Sequence, residues 1–171
     1  MTDDAPDTVR YVSHGATILL VEDDEPLGRS LVRLITAAGF RVVHAKNGVD
    51  ALENVMAQSF DAVLSDLNLP DACGVDVLKF ARAHDADVPL VLMSGCPTID
   101  TTIEAVNLGV VEYLLKPMTS ARLANVLMRA TRHRRGKVRA RAPQVEEASP
   151  PSSGLPFTRL SSEFAELDAK G

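Results

Sequence analysis

At 171 residues with 46% apolar side chains, the chain can close one hydrophobic core of ordinary size and carry a short tail besides. No apolar run reaches the roughly 18–20 residues of a membrane span, and the acidic start Met1 to Pro6 lacks the basic and apolar regions of a secretory signal, so a soluble cytoplasmic protein is expected. The net charge of −5 is uneven: residues 1–128 carry −9, residues 129–141 carry +7 and no acid, and the remainder carries −3.

Thr17 to Val21 is a short apolar run ending in four acids, Glu22 to Glu25. Asp24, before Glu25-Pro26, suits a helix N-cap, and Leu27, Leu31, Leu34 and Ile35 then fall on one face of a helix that Gly39 ends. Arg41 to Ala45 reads as a second strand; after the Asn47-Gly48 turn, Ala51, Leu52 and Val55 mark a second helix. Ala62 to Ser65 is the third strand, with Val75, Val77, Leu78 and Ala81 on the helix that follows. Leu90 to Met93 is the fourth, followed by Ile99, Ile103, Val106 and Leu108 on a helix stopped by Gly109. Val110 to Leu115 and the helix carrying Leu123, Val126 and Leu127 close the series. Apolar strands alternating with amphipathic helices build a parallel sheet covered on both faces.

The helical pattern fails from about Gly136, and APQVEEASPPSSGLP, residues 142–156, reads as a linker. The expected organisation is a flexible 1–14, one domain over 15–134, and a basic collar with a Pro/Ser-rich, largely disordered tail over 135–171. The collar RATRHRRGKVRAR reads as a solvated helix end running into a charged linker, since no aromatic residues interleave it for base stacking and no helix-turn-helix follows. Cys73 and Cys96 have neither metal-ligand nor redox spacing and are expected to stay reduced.

In an open parallel sheet, ligands sit beyond the carboxyl ends of the strands. Glu22 and Asp23 end the first strand and Asp66 ends the third, so adjacency of those strands brings three carboxylates together. At ~4 Å and an effective dielectric of about 20, each ionised pair costs roughly 4 kcal/mol. A hard divalent cation such as Mg²⁺ offsets that cost and keeps positions open for phosphate oxygens.

The motifs ILLVEDDEP, AKNGVDAL, FDAVLSDLNLPDACG, PLVLMSG and EAVNLGVVEYLLKP, in this order and spacing, resemble the receiver domain of bacterial two-component response regulators over about residues 15–134. The resemblance implies a flavodoxin-like, doubly wound α/β fold with five parallel strands in the order 2-1-3-4-5 and five helices. It implies that Asp66 accepts a phosphoryl group from a sensor histidine kinase or phosphotransfer protein. It further implies that Glu22, Asp23, Asp66 and the backbone carbonyl of Asn68 hold Mg²⁺, with Glu22 standing where Asp is common. Ser94 and Lys116 are the implied phosphoryl contacts, Tyr113 the aromatic switch residue, and Lys116-Pro117 an implied cis bond. Gly74, in the loop after the acceptor, is read as supplying a conformation that other residues dislike.

The implied output is a shift between two conformations, passed to an output domain or partner protein through the fourth helix, fifth strand and fifth helix, with homodimer formation left open. No nucleic-acid or membrane partner is expected, nor enzymatic activity beyond the chain's own phosphorylation and dephosphorylation. Two other readings stand beside this one. The first is an interaction module of a longer regulator, for example one with a cyclic-di-GMP phosphodiesterase output. The second, ranked low, is a metal-dependent aspartyl-phosphate hydrolase, disfavoured because DLNLP lacks a second aspartate two residues after the first.

Overall fold

The computed structural model describes residues 15–141; the expectations for residues 1–14 and for the linker and tail fall outside them. Strand and helix alternate throughout: β1 (Thr17–Val21), α1 (Glu25–Ala37), β2 (Arg41–Ala45), α2 (Gly48–Ala57), β3 (Ala62–Asp66), α3 (Gly74–His84), β4 (Leu90–Ser94), α4 (Ile99–Leu108), β5 (Glu112–Leu115) and α5 (Ser120–Arg141). The five strands form one parallel sheet in the order β2-β1-β3-β4-β5, as the sequence implied.

The two-residue period of each strand divides the core. On β1, Leu19 and Val21 pack with Val63, Leu78 and Leu92, while Ile18 and Leu20 pack with Leu31, Leu64, Leu123 and Leu127. The three central strands are buried almost throughout, which is why they read as unbroken apolar runs. Asp24 caps α1 as expected, its side chain accepting the Leu27 N–H at 2.8 Å, and Gly109 ends α4 with a left-handed φ of 71°.

Helix α4 is turned away from its expected orientation. Ile99, Ile103 and Val106 are 79%, 53% and 69% exposed, and Ala105 is the buried residue of the helix. Two stripes with the same i, i+4, i+7 spacing run along this helix, and the smaller one, Thr101, Ala105 and Leu108, faces the sheet. The inward stripe joins the core through Ala105, with Leu108 packed against it, and the bulkier stripe is left outside.

Helix α5 also departs from expectation by continuing through Gly136 to Arg141. Its lower part is pinned by Arg134, whose Nη1 lies 2.7 Å from Asp85 Oδ2 and whose Nε lies 3.9 Å from Asp61. The Arg134 side chain is only 12% exposed, so its loss leaves Asp85 without its charge partner. Arg134→Met is expected to lower unfolding free energy by about 1–2 kcal/mol, measured by urea denaturation. An unchanged midpoint would show that the pair contributes nothing.

Candidate functional site

The sheet's hydrogen bonds continue one residue past three strands, and this fixes the backbone beneath the site. Glu22 N–H donates to the Ala45 carbonyl at 3.1 Å, Leu67 N–H to Met93 at 2.8 Å, and Lys116 N–H to Ser94 at 2.8 Å. Because β1 and β3 are neighbours, Glu22, Asp23 and Asp66 place one carboxylate oxygen each within 4.8 Å of one another. Glu22 and Asp66 are buried and Asp23 is exposed, so the cluster opens to solvent on one side.

Lys116 enters this cluster from β5, 94 residues away in the chain from Glu22. Its Nζ donates to Glu22 Oε2 at 2.7 Å and lies 3.0 Å from Asp66 Oδ1. Burial pushes the Glu22 carboxyl above its ordinary value and outweighs the hydrogen bond from Lys116, while the Asp66 charge adds to the rise. For Lys116, burial works against the charge, but the bonds to Glu22 and Asp66 prevail and hold its pKa above the usual lysine value. The Lys116-Pro117 bond is cis, as the resemblance implied. Beside it an apolar groove of about 370 Å³ is lined by Leu27, Leu31, Leu34, Pro117 and Met118.

The remaining expected residues stand around this centre. Ser94 is fully buried, and its Oγ accepts the Cys96 N–H at 3.0 Å. The Tyr113 hydroxyl lies 3.5 Å from Thr101 Oγ1 at the start of α4. Asn68 opens the β3–α3 loop, where it pairs with Cys73, and its side chain is exposed. Gly74 was expected to supply a backbone conformation that other residues dislike, but the glycines with positive φ among the described residues are Gly15, Gly39 and Gly109. The requirement at Gly74 is space, because a Cβ there would stand 1.8 Å from the Asp66 carbonyl oxygen.

Two supporting residues were missed in the sequence. Asp71 accepts the Gly48 and Val49 N–H groups at 2.7 and 3.0 Å, tying the loop after Asp66 to the start of α2. Those two bonds hold its carboxyl below the usual range. His44 Nε2 lies 2.9 Å from the Glu22 carbonyl oxygen, with the ring against Gly28. An acid following Pro70 just after the third strand, and a glycine inside an amphipathic helix, were the available signals. In the basic run, Arg129 is paired with Glu112 and Arg134 with Asp85, so part of its charge is spent inside the domain.

The donor set fits a small hard cation: carboxylate oxygens converge, one side is open for water or phosphate oxygens, and no thiol or imidazole belongs to the cluster. Comparison with known proteins agrees with this chemistry. The family model of the response regulator receiver domain matches residues 18–128. The chain is 35% identical over 118 residues to the transcriptional regulatory protein ZraR of Klebsiella oxytoca, covering 69% of this chain and 27% of that protein. It is 33% identical over 106 residues to the transcriptional regulatory protein CusR of Escherichia coli, covering 62% of this chain and 47% of that one. The chain therefore spans less than half the length of either regulator. Among solved structures, the non-phosphorylated HemR receiver domain from Leptospira biflexa is 30% identical with a TM-score of 0.63, covering 68% of this chain and 94% of that domain. The matched segment contains the acid cluster and Lys116 together with all five strands but the first residue of β1, and the chain belongs to the response regulator receiver domain family, a module of phosphorelay signalling.

Proposed function

We propose that Asp66 accepts a phosphoryl group from a histidine kinase or phosphotransfer protein, and that the acid cluster holds the Mg²⁺ this transfer requires. The observation carrying this reading is Lys116 Nζ between Glu22 and Asp66, at 2.7 and 3.0 Å, on the rim of three converging carboxylates. Glu22, Asp23, Asp66 and the Asn68 carbonyl would hold the cation. When bound, it would neutralise charge on the transferring phosphoryl group.

The chain's own residues do the remainder. An Asp66 oxygen attacks phosphorus, and the donor's leaving group departs with the electron pair of the broken bond. Lys116 is already one hydrogen-bond length from Asp66 and turns from the carboxylates to the new phosphoryl oxygens. Ser94 Oγ exchanges its bond from Cys96 N–H for a bond to phosphoryl oxygen, drawing in the loop that begins α4. Tyr113, against Thr101, follows that movement. The exposed Ile99, Ile103 and Val106 stripe and Leu115 then form the surface that an output domain or partner protein reads, and the setting is the cytoplasm. The chain also catalyses loss of its own phosphoryl group; it is otherwise a signalling module, not a metabolic enzyme.

Incubation with acetyl phosphate, with and without Mg²⁺, tests this reading by intact mass. Wild type is expected to gain one phosphoryl group only with Mg²⁺, and Asp66→Asn none. Absence of Mg²⁺-dependent modification in wild type, or equal modification of the variant, contradicts it.

A further inference from the structure

The loop between β1 and α1 carries two of the three clustered carboxylates, and β2 holds the backbone of its first residue, Glu22, at both the N–H and the carbonyl. Glu22 N–H donates to the Ala45 carbonyl at 3.1 Å, and the Glu22 carbonyl oxygen faces His44 Nε2 at 2.9 Å. A carbonyl can only accept, so the His44 ring carries its proton on Nε2 and donates. The same ring fills the space that Gly28 leaves in α1: an alanine methyl there would stand 2.5 Å from Cε1 and 2.8 Å from Nε2. Gly28 lies within the helix, where glycine is disfavoured relative to alanine, and its φ is not left-handed. The His44 ring accounts for the glycine. One imidazole thus joins β2, the first turns of α1 and the loop that presents Glu22 and Asp23.

We infer that His44 is a positioning residue of the acidic pocket: its Nε2–H holds the Glu22 carbonyl, and so sets the direction in which the Glu22 and Asp23 carboxylates meet Mg²⁺. This rests on the reading of the pocket as a Mg²⁺ site. Partners that orient metal ligands typically contribute about 10–100-fold in affinity. A partner acting through the ligand's backbone belongs at the lower end.

Calorimetric titration of Mg²⁺ into the full chain tests the inference with three variants. H44F keeps a flat ring beside Gly28 without a donor and is expected to bind Mg²⁺ about tenfold more weakly than wild type. H44Q keeps an N–H donor and is expected to stay within about twofold of wild type. G28A displaces the ring and is expected to weaken binding as H44F does. Long-range proton–nitrogen correlation of the imidazole should place the proton on Nε2 in wild type, a signature that general loss of stability does not produce. Wild-type affinity in H44F, an H44Q as weak as H44F, or a proton on Nδ1 with Nε2 bare overturns the inference while leaving the Mg²⁺ site intact. Failure of wild type itself to bind Mg²⁺ removes the site reading and the inference with it.

Discussion

Gly74→Ala is expected to destabilise the fold by about 3 kcal/mol or more, among the larger effects available to one methyl group. The added Cβ would stand 1.8 Å from the carbonyl oxygen of Asp66, 2.8 Å from its carbonyl carbon and 3.0 Å from Leu67 Cα. All three are backbone atoms, so no rotamer change relieves the overlap. A shift of α3 relieves the obstruction only by breaking the bond of Gly74 N–H to the Leu67 carbonyl, 2.7 Å long. Either α3 shifts at the expense of that bond or the end of β3 moves, and the second outcome displaces Asp66 from Lys116. Urea denaturation measures the first consequence and Mg²⁺-dependent modification by acetyl phosphate the second. A variant equal to wild type in both would show that the close approach is not a real constraint.

Lys116→Met is expected to act on stability and chemistry together. Its side chain is 20% exposed, and its removal leaves Glu22, 1% exposed, facing Asp66 without a cation. A partner removed from a fully buried ion pair costs about 3–5 kcal/mol; the open side of this pocket reduces that to about 2–3 near neutral pH in Mg²⁺-free buffer. The sign with pH follows from Glu22, whose folded pKa is raised by burial. Such a group contributes stability that is fully present below its unfolded value, about 4.5, and is lost as pH rises through the folded value. Mg²⁺-free wild type should therefore lose this contribution as pH rises above about 4.5, and Lys116→Met should lose more. Lys116 itself, also raised, keeps its contribution at every pH below about 10.5. Urea midpoints in EDTA over a pH series rising from about 4.5 check the stability. Phosphoryl transfer from acetyl phosphate should fall about 10²-fold. A variant with a flatter pH profile than wild type would contradict the assignment of the pair.

The legible parts of this fold are those where burial is complete. β1, β3 and β4 are apolar on both faces, and their runs could be read from the residues, while their order in the sheet came from the family resemblance. The acids at the ends of β1 and β3 were legible too, because a strand end directs its next residue to one predictable edge. The orientation of α4 was not, since two stripes of equal spacing compete and their periodicity does not distinguish Ala105, which is buried, from Ile103, which is exposed. Lys116 was expected at the pocket mouth, but its simultaneous contact with Glu22 and Asp66 depends on side-chain reach across three strands. The use of Gly74 was misread for a related reason: glycine in a loop signals conformational freedom and close approach equally well, and only the distance to Asp66 separates them. His44 and Gly28 carry no motif at all, and their relation exists only once α1 lies on β2.

The hydrogen bonds that run one residue past the strands, at Glu22, Leu67 and Lys116, also set which motions are inexpensive. Those amides extend the sheet's hydrogen-bond ladder, so their exchange is expected to require opening of the sheet itself. The loop from Gly95 to Thr98 meets the buried end of β4 through the bond of Cys96 N–H to Ser94 Oγ, and Gly95 to Asp100 are all exposed. The pocket thus rests on a floor bonded into the sheet and is bordered on the Ser94 side by an exposed loop.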